Sequence, residues 1–376
     1  MEGTGIRWRR LSVLEAGLVG LERRWTLWGA AALVAIVLLI LAAVYVRPAT
    51  HATYDGVYYT GMAREPFAND NPNAYRVLTP LVAYVIGLRG ERIQILNVAV
   101  AWLLLLLVYY HYRRTAHGPL LSLGAATILG FSMPTLFTVF FAGYTDSTTY
   151  LFVFLMLVCR WKPAVYWVLF LLALLNRESV VFLLPFFLLL PNVGGERKPA
   201  RLVWTAVGAV LSLAIYLAAR YLIGRYVGPK HSFDFYFGPL RQDPFYWLRQ
   251  TAAAYSAGFF ATFKLFWALP VAAVWLALRR RHWLGVLLVV LPVVCALGQS
   301  VIAVDTSRVL ALGFPSLLVS LEIIRREYGE KPIEPLLAGL IVANLFVPQL
   351  YVSSNRIWTM RSSLQAVIDR LLLVAE

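Results

Sequence analysis

Apolar runs near the length of a membrane-crossing helix recur along this chain, separated by short polar segments. The first, Thr26 to Val46, contains no charged residue. A helix of about 20 such residues spans the roughly 30 Å hydrocarbon core of a bilayer. The runs are continuous rather than alternating, which excludes a membrane β-barrel. Only 14% of residues are charged and 60% are apolar, whereas about a quarter are charged in an ordinary soluble domain. The expected fold is all-α: a polytopic transmembrane helical bundle of about 11 spans, some of them short.

The formal charge of +15 raises a nucleic-acid reading. The basic residues, however, fall in small clusters between apolar runs, as orientation signals do. No nucleic-acid partner is expected; membrane lipids are. Residues 1–25 read as a cytoplasmic, basic, amphipathic segment, with Leu11, Leu14, Leu18 and Leu21 at helical spacing. Residues 26–352 form the transmembrane domain, with outer loops 47–92 and 224–250, and 353–376 an extracytoplasmic tail. Cys159 and Cys295 have no metal-type spacing, so neither a thiolate metal site nor a disulfide is expected.

With the N-terminus inside, the loop holding Asp55 is extracytoplasmic. Val77 to Leu88 is too short to cross and reads as a surface helix. Spans follow at about 93–110, 119–141 and 147–159. Residues 163–190 read as two short helices joined near Asn176-Arg177-Glu178, because a single long span would put every later basic cluster outside. Further spans are expected at about 202–223, 251–278, 283–303, 308–324 and 333–352. Helices of about 13 residues reach only roughly 20 Å. Their outer ends, carrying Asp146 and Arg177-Glu178, therefore stop below the outer surface, where charges need water, a cavity or each other. Short helices side by side would leave a cleft open to the outer leaflet.

Candidate chemistry concentrates at those outer ends. Asp55 stands among Tyr54, Tyr58 and Tyr59. It reads equally as a general base for an acceptor hydroxyl and as a helix N-cap, and the tyrosines as sugar-stacking rings or interface anchors. Arg76, after Tyr75, and Arg177 offer the guanidinium fork that matches phosphate. Structural alternatives are an interface anchor for Arg76 and an ion pair with Glu178 or Asp146 for Arg177. Asp305 and Arg308 stand three apart and can pair on one helix face; Arg308 could also face the cleft. Loop 224–250 carries Lys230, His231, Asp234, Arg241 and Asp243 among aromatics and reads as a lid or acceptor-recognition loop. No phosphate-cradling glycine loop is present, which disfavours nucleotide-driven transport.

Three of these features resemble the GT-C superfamily of polyprenyl-phosphate-sugar-dependent membrane glycosyltransferases. They are Tyr54-Asp55-Gly56 followed by Tyr58-Tyr59, Arg76-Val-Leu-Thr-Pro80, and Leu174-Leu-Asn-Arg177-Glu178. The resemblance implies an inverting glycosyltransferase of the cell envelope, in the bacterial inner membrane. Its substrates would be a polyprenyl-phosphate-linked sugar donor and a glycan, lipid or protein acceptor. Asp55 would be the base, and arginines would hold the lipid phosphate. The paired acids of the Asp-x-Asp type are missing from the first loop, so no divalent metal and no other cofactor is expected. Charge on the leaving phosphate would then fall to Arg and Lys. Competing readings are a lipid or glycan transporter (flippase), an O-antigen polymerase or ligase with an arginine-bearing outer loop, and a purely structural membrane subunit.

Overall fold

A computed structural model describes residues 4–48, 55–67, 73–115, 117–193, 199–227, 238–300, 303 and 305–360. The described chain is helical apart from one small hairpin. In order, the helices are α1 (Thr4–Arg24), α2 (Leu27–Tyr45), α3 (Asp55–Arg64), α4 (Leu78–Val85), α5 (Ile93–Arg114), α6 (Pro119–Gly130), α7 (Met133–Phe140), α8 (Asp146–Cys159) and α9 (Pro163–Asn176). They continue as α10 (Glu178–Asn192, α-helical at its centre and 3-10 at both ends), α11 (Pro199–Val227), α12 (Tyr246–Arg279), α13 (Trp283–Gln299), α14 (Thr306–Tyr328) and α15 (Ile333–Leu345). Strands β1 (Leu350–Ser353) and β2 (Arg356–Thr359) pair antiparallel, with Tyr351 opposite Trp358.

Five helical segments among the described residues are long and apolar enough to cross a membrane: α2, α5 with its preceding turn, the Leu202–Tyr226 part of α11, α12 and α14. The bent pair α6 and α7 makes a sixth if it counts as one span. The expected single span over 119–141 is therefore two helices meeting at 52°. Pro134 explains the break, since a proline there has no N–H for the ladder and its ring clashes with the carbonyl four residues back, at Gly130. Helices α8 and α9 have 14 residues each, about 21 Å of rise. They agree with the short segments expected at about 147–159 and 163–175, and α10 with the second short helix expected after Arg177.

The last expected span is corrected. The sequence predicts it over 333–352, but α15 stops at Leu345 after 13 residues. The chain then turns through Pro348 into the hairpin, so residues 350–359 belong to a β-element that straddles the expected boundary with the tail. Ser354, at the tip, has a φ of +53°.

Burial separates centre from periphery. Helix α14 is the most enclosed of the long apolar helices, buried over most of its length, whereas α11 is the least. α14 packs on α12 and α13, while α5 packs on α2, α6 and α8. α11 leans mainly on α9, with a smaller contact to α10, and leaves Leu202, Trp204, Val210 and Leu217 exposed, a lipid-facing pattern. The α9–α11 contact is close because Gly208 has no side chain. A Cβ there would lie 2.1 Å from Cδ1 of Trp167. Ser212 adds a hydrogen bond to the Trp167 carbonyl at 3.1 Å.

Charged groups gather at the two ends of this bundle. At one end Glu22 of α1 pairs with Arg113 of α5, and His117 lies against Glu330 at 3.1 Å. The opposite end carries the group described next.

Candidate active site

Five chain segments bring ionisable side chains to one place. Asp55 is the first residue of α3, where the helix N-terminus favours a carboxylate. Its Oδ2 is 3.5 Å from Nη2 of Arg308, in the first turn of α14. Arg308 is held harder by Asp305, at 2.6 Å. Asp305 in turn accepts hydrogen bonds from the Tyr351 hydroxyl at 2.9 Å and from the Ser353 hydroxyl, so β1 anchors it. Burial works against ionisation of Asp305. Arg308, with help from Ser353, Tyr351 and Arg177, outweighs that and holds the carboxyl below the usual range. The Arg308 guanidinium also lies over the rings of Tyr144, at 5.0 Å, and Phe137, at 5.6 Å.

Arg177, at the end of α9, forms an ion pair with Asp146, the first residue of α8. Both are buried. Helices α8 and α9 meet there because Asn176 ties their ends together. Its Nδ2 donates to the Thr145 carbonyl at 2.9 Å and to Thr149 Oγ1 at 2.8 Å. Thr79 of α4 donates to Asn176 Oδ1 at 2.6 Å. The Arg76-to-Pro80 motif is thereby locked onto the Arg177 motif.

Arg76 is bidentate to Glu178, through Nε at 3.0 Å to Oε2 and Nη2 at 2.7 Å to Oε1. Its Nη1 donates to the Tyr59 hydroxyl at 2.9 Å. Arg76, Arg177 and Arg308 share one electrostatic neighbourhood, since Arg308 and Arg76 both act on Arg177. A fourth arginine joins from α11. Arg220 lies 4.1 Å over the Tyr75 ring, donates to Tyr216 at 3.0 Å and acts on Glu178.

The structure thus gathers Asp55, Tyr59, Arg76, Asp146, Arg177, Glu178 and Arg308, and places Tyr75 at the rim under Arg220. Tyr58 points outward and is exposed. Tyr54, Lys230 and His231 lie outside the described residues, as does Asp234. Asp243 pairs locally with Arg249 and accepts from the Phe245 amide at 3.0 Å. Sequence reading gave no site role to Arg220, Tyr144, Tyr351 or Ser353, and quoted Asn176 and Thr79 only as parts of longer runs. Only the Asn176–Arg177–Glu178 run offered a signal, as a polar interruption of an apolar stretch.

What the cluster can do follows from what its partners leave unspent. Each of Arg76, Arg177 and Arg308 already faces a carboxylate, so none is a bare cation. Yet Nε of Arg177 and Nε of Arg308 are buried with no hydrogen-bond partner. Buried donors of that kind are uncommon and call for an acceptor. Asp55 is the loosest of the acids bound to Arg308, at 3.5 Å against 2.6 Å, and its side chain stays 28% exposed against 14% for Asp305. No group of three or more His, Cys, Asp or Glu side chains converges as metal ligands among the described residues.

Comparison of the chain with protein-family models, curated proteins and solved structures gives no match.

Proposed function

We propose that this chain is a membrane glycosyltransferase of the GT-C kind, using a polyprenyl-phosphate sugar on the extracytoplasmic side of the bilayer. One observation carries the reading: a part-exposed carboxylate, Asp55, stands 3.5 Å from buried Arg308, Arg308 in turn acts on buried Arg177, and each of the two arginines keeps an Nε–H with no partner. That is a proton acceptor next to donors lacking an oxygen to bind. In this reading about 11 apolar segments enter the bilayer, the N-terminus is cytoplasmic, and α8, α9 and α10 are too short to reach the outer surface. Their shortness opens the cluster sideways to lipid.

The reaction balances with these groups alone. An acceptor hydroxyl oxygen bonds to the anomeric carbon while the bond from that carbon to the lipid phosphate oxygen breaks. Asp55 takes the hydroxyl proton. The phosphate oxygen leaves with the bonding pair, and its charge is met by Nε–H of Arg177 and Arg308. Direct displacement inverts the anomeric configuration. Arg76, spent on Glu178 and Tyr59, shapes the wall and biases the site electrostatically. Tyr75 and Arg220 form the rim over which the sugar or its acceptor would pass.

The test is to incubate the purified chain with polyprenyl-phosphate sugars and hydroxylated acceptors and to follow the new glycosidic bond. Glycosylated acceptor matched by released polyprenyl phosphate is the expected result. Substrate movement across proteoliposomes without covalent change would replace the enzyme by a transporter.

A further inference from the structure

A second feature of the chain is independent of the transferase reading. An apolar groove of about 1070 Å³ runs along α2 between α1, α6, α15 and the hairpin. Leu33, Val37 and Leu41 line it and are exposed. From Leu33 to Val44 the groove follows α2 for about 18 Å, slightly more than the roughly 15 Å depth of one leaflet. Most of its wall is hydrocarbon. Tyr45 and Gln349 line it, as do Thr127 and Thr359.

Behind Tyr45 lies Lys264, 1% exposed. Its ammonium donates to Tyr45 Oη at 2.8 Å, to the Asn344 carbonyl at 3.2 Å and to the Val347 carbonyl at 3.3 Å. All three partners are neutral oxygens. The two carbonyls sit at and just past the C-terminus of α15, so Lys264 caps that helix. A helix C-terminus, however, offers only about half a negative charge, and a buried cation needs more. The backbone adds a second oddity, because Lys264 has a φ of +49°, strain that a non-glycine residue bears only where its surroundings require it. A third sign is independent of charge. Gln349 is 2% exposed and its Nε2 donates to two carbonyls, but its Oε1 has no partner.

We infer that this groove is a binding site for a bilayer phospholipid with an anionic, hydroxyl-bearing headgroup, its acyl chain lying along α2 and its headgroup at Tyr45, Lys264 and Gln349. The phosphate supplies the charge that Lys264 lacks, the lysine exchanging its long carbonyl bonds for it on a flexible stem. A headgroup hydroxyl donates to Gln349 Oε1.

The probe is phosphatidylglycerol against phosphatidylcholine of the same acyl chains, added to the delipidated full chain and read by native mass spectrometry and by thermal unfolding. Phosphatidylglycerol is expected to stay bound and raise the midpoint, and phosphatidylcholine to do neither. Lys264→Met should cost about tenfold in apparent affinity for phosphatidylglycerol, the scale of one charged hydrogen bond. Should that variant not fold, Leu41→Trp fills the groove from its exposed side with the lysine intact, and should displace the bound lipid. Equal binding of the two lipids by the wild type, or an unchanged phosphatidylglycerol preference in either variant, overturns the inference.

Discussion

Arg308 stands between two acids, and the unequal distances decide what each can do. Asp305, tied to Tyr351 and Ser353, takes the guanidinium at 2.6 Å and leaves Asp55 at 3.5 Å. Asp305→Asn removes the stronger anion, and Arg308 then closes on Asp55. A carboxylate gripped by a guanidinium is a poorer proton acceptor. Turnover should fall about tenfold or more, with little change in the donor concentration giving half-maximal rate. A loss confined to donor affinity would show that Asp305 acts on binding instead. The Arg177–Asp146 pair tests stability at the same scale. Both partners are buried, so Arg177→Met strands Asp146 and should cost about 3–5 kcal/mol in unfolding measured in detergent. The double variant Arg177→Met/Asp146→Leu should recover most of it.

Helix contacts carry their own prediction. Gly208 lets the α11 backbone lie against the Trp167 ring, and a methyl there would sit 2.1 Å from Cδ1 of Trp167. Gly208→Ala should destabilise the chain by about 1–3 kcal/mol, the usual penalty of overpacking. Combining it with Trp167→Leu should restore the unfolding midpoint, because the ring that blocks the methyl is then gone. Since α11 also brings Arg220 to Tyr75, the single variant should lower activity before it lowers secondary structure.

Over the whole molecule, the two ends of the bundle behave differently. Far from the candidate site, α1 is fastened to α5 by Glu22 and Arg113. The hydrogen bond from Arg113 holds the Glu22 carboxyl below its usual range, against a smaller opposing effect of burial and with help from Tyr109. A lowered carboxyl contributes its stabilisation above the ordinary Glu range and loses it as pH falls through the lowered value. Hydrogen exchange in α1 should therefore stay slow from neutral pH to about pH 5 and quicken below roughly pH 4. In Glu22→Gln the α1 exchange should be fast throughout, with no such step. How much of this was readable beforehand varies by feature. The apolar runs and the short helices around Arg177 were legible, because a bilayer-length rule and the placement of basic clusters constrain them. The break at Pro134 was legible in principle, since Ser132-Met-Pro134 interrupts the run, but uniform hydrophobicity masked it. The hairpin was not, because Leu345 to Val352 is as apolar as the helix before it. Candidate acids and arginines could be named from their setting among apolar residues. Their pairings could not, since Arg76 meets Glu178 from 102 residues away, and only the packing of α4 on α9 decides that. The account as a whole rests on Asp55 accepting a proton in sugar transfer, and single-turnover transfer by the purified chain tests it most directly. Asp55→Asn is isosteric and leaves Arg308 paired to Asp305, so donor should still bind while the rate of glycosidic bond formation falls at least about 10²-fold; wild-type rates in Asp55→Asn would contradict the account.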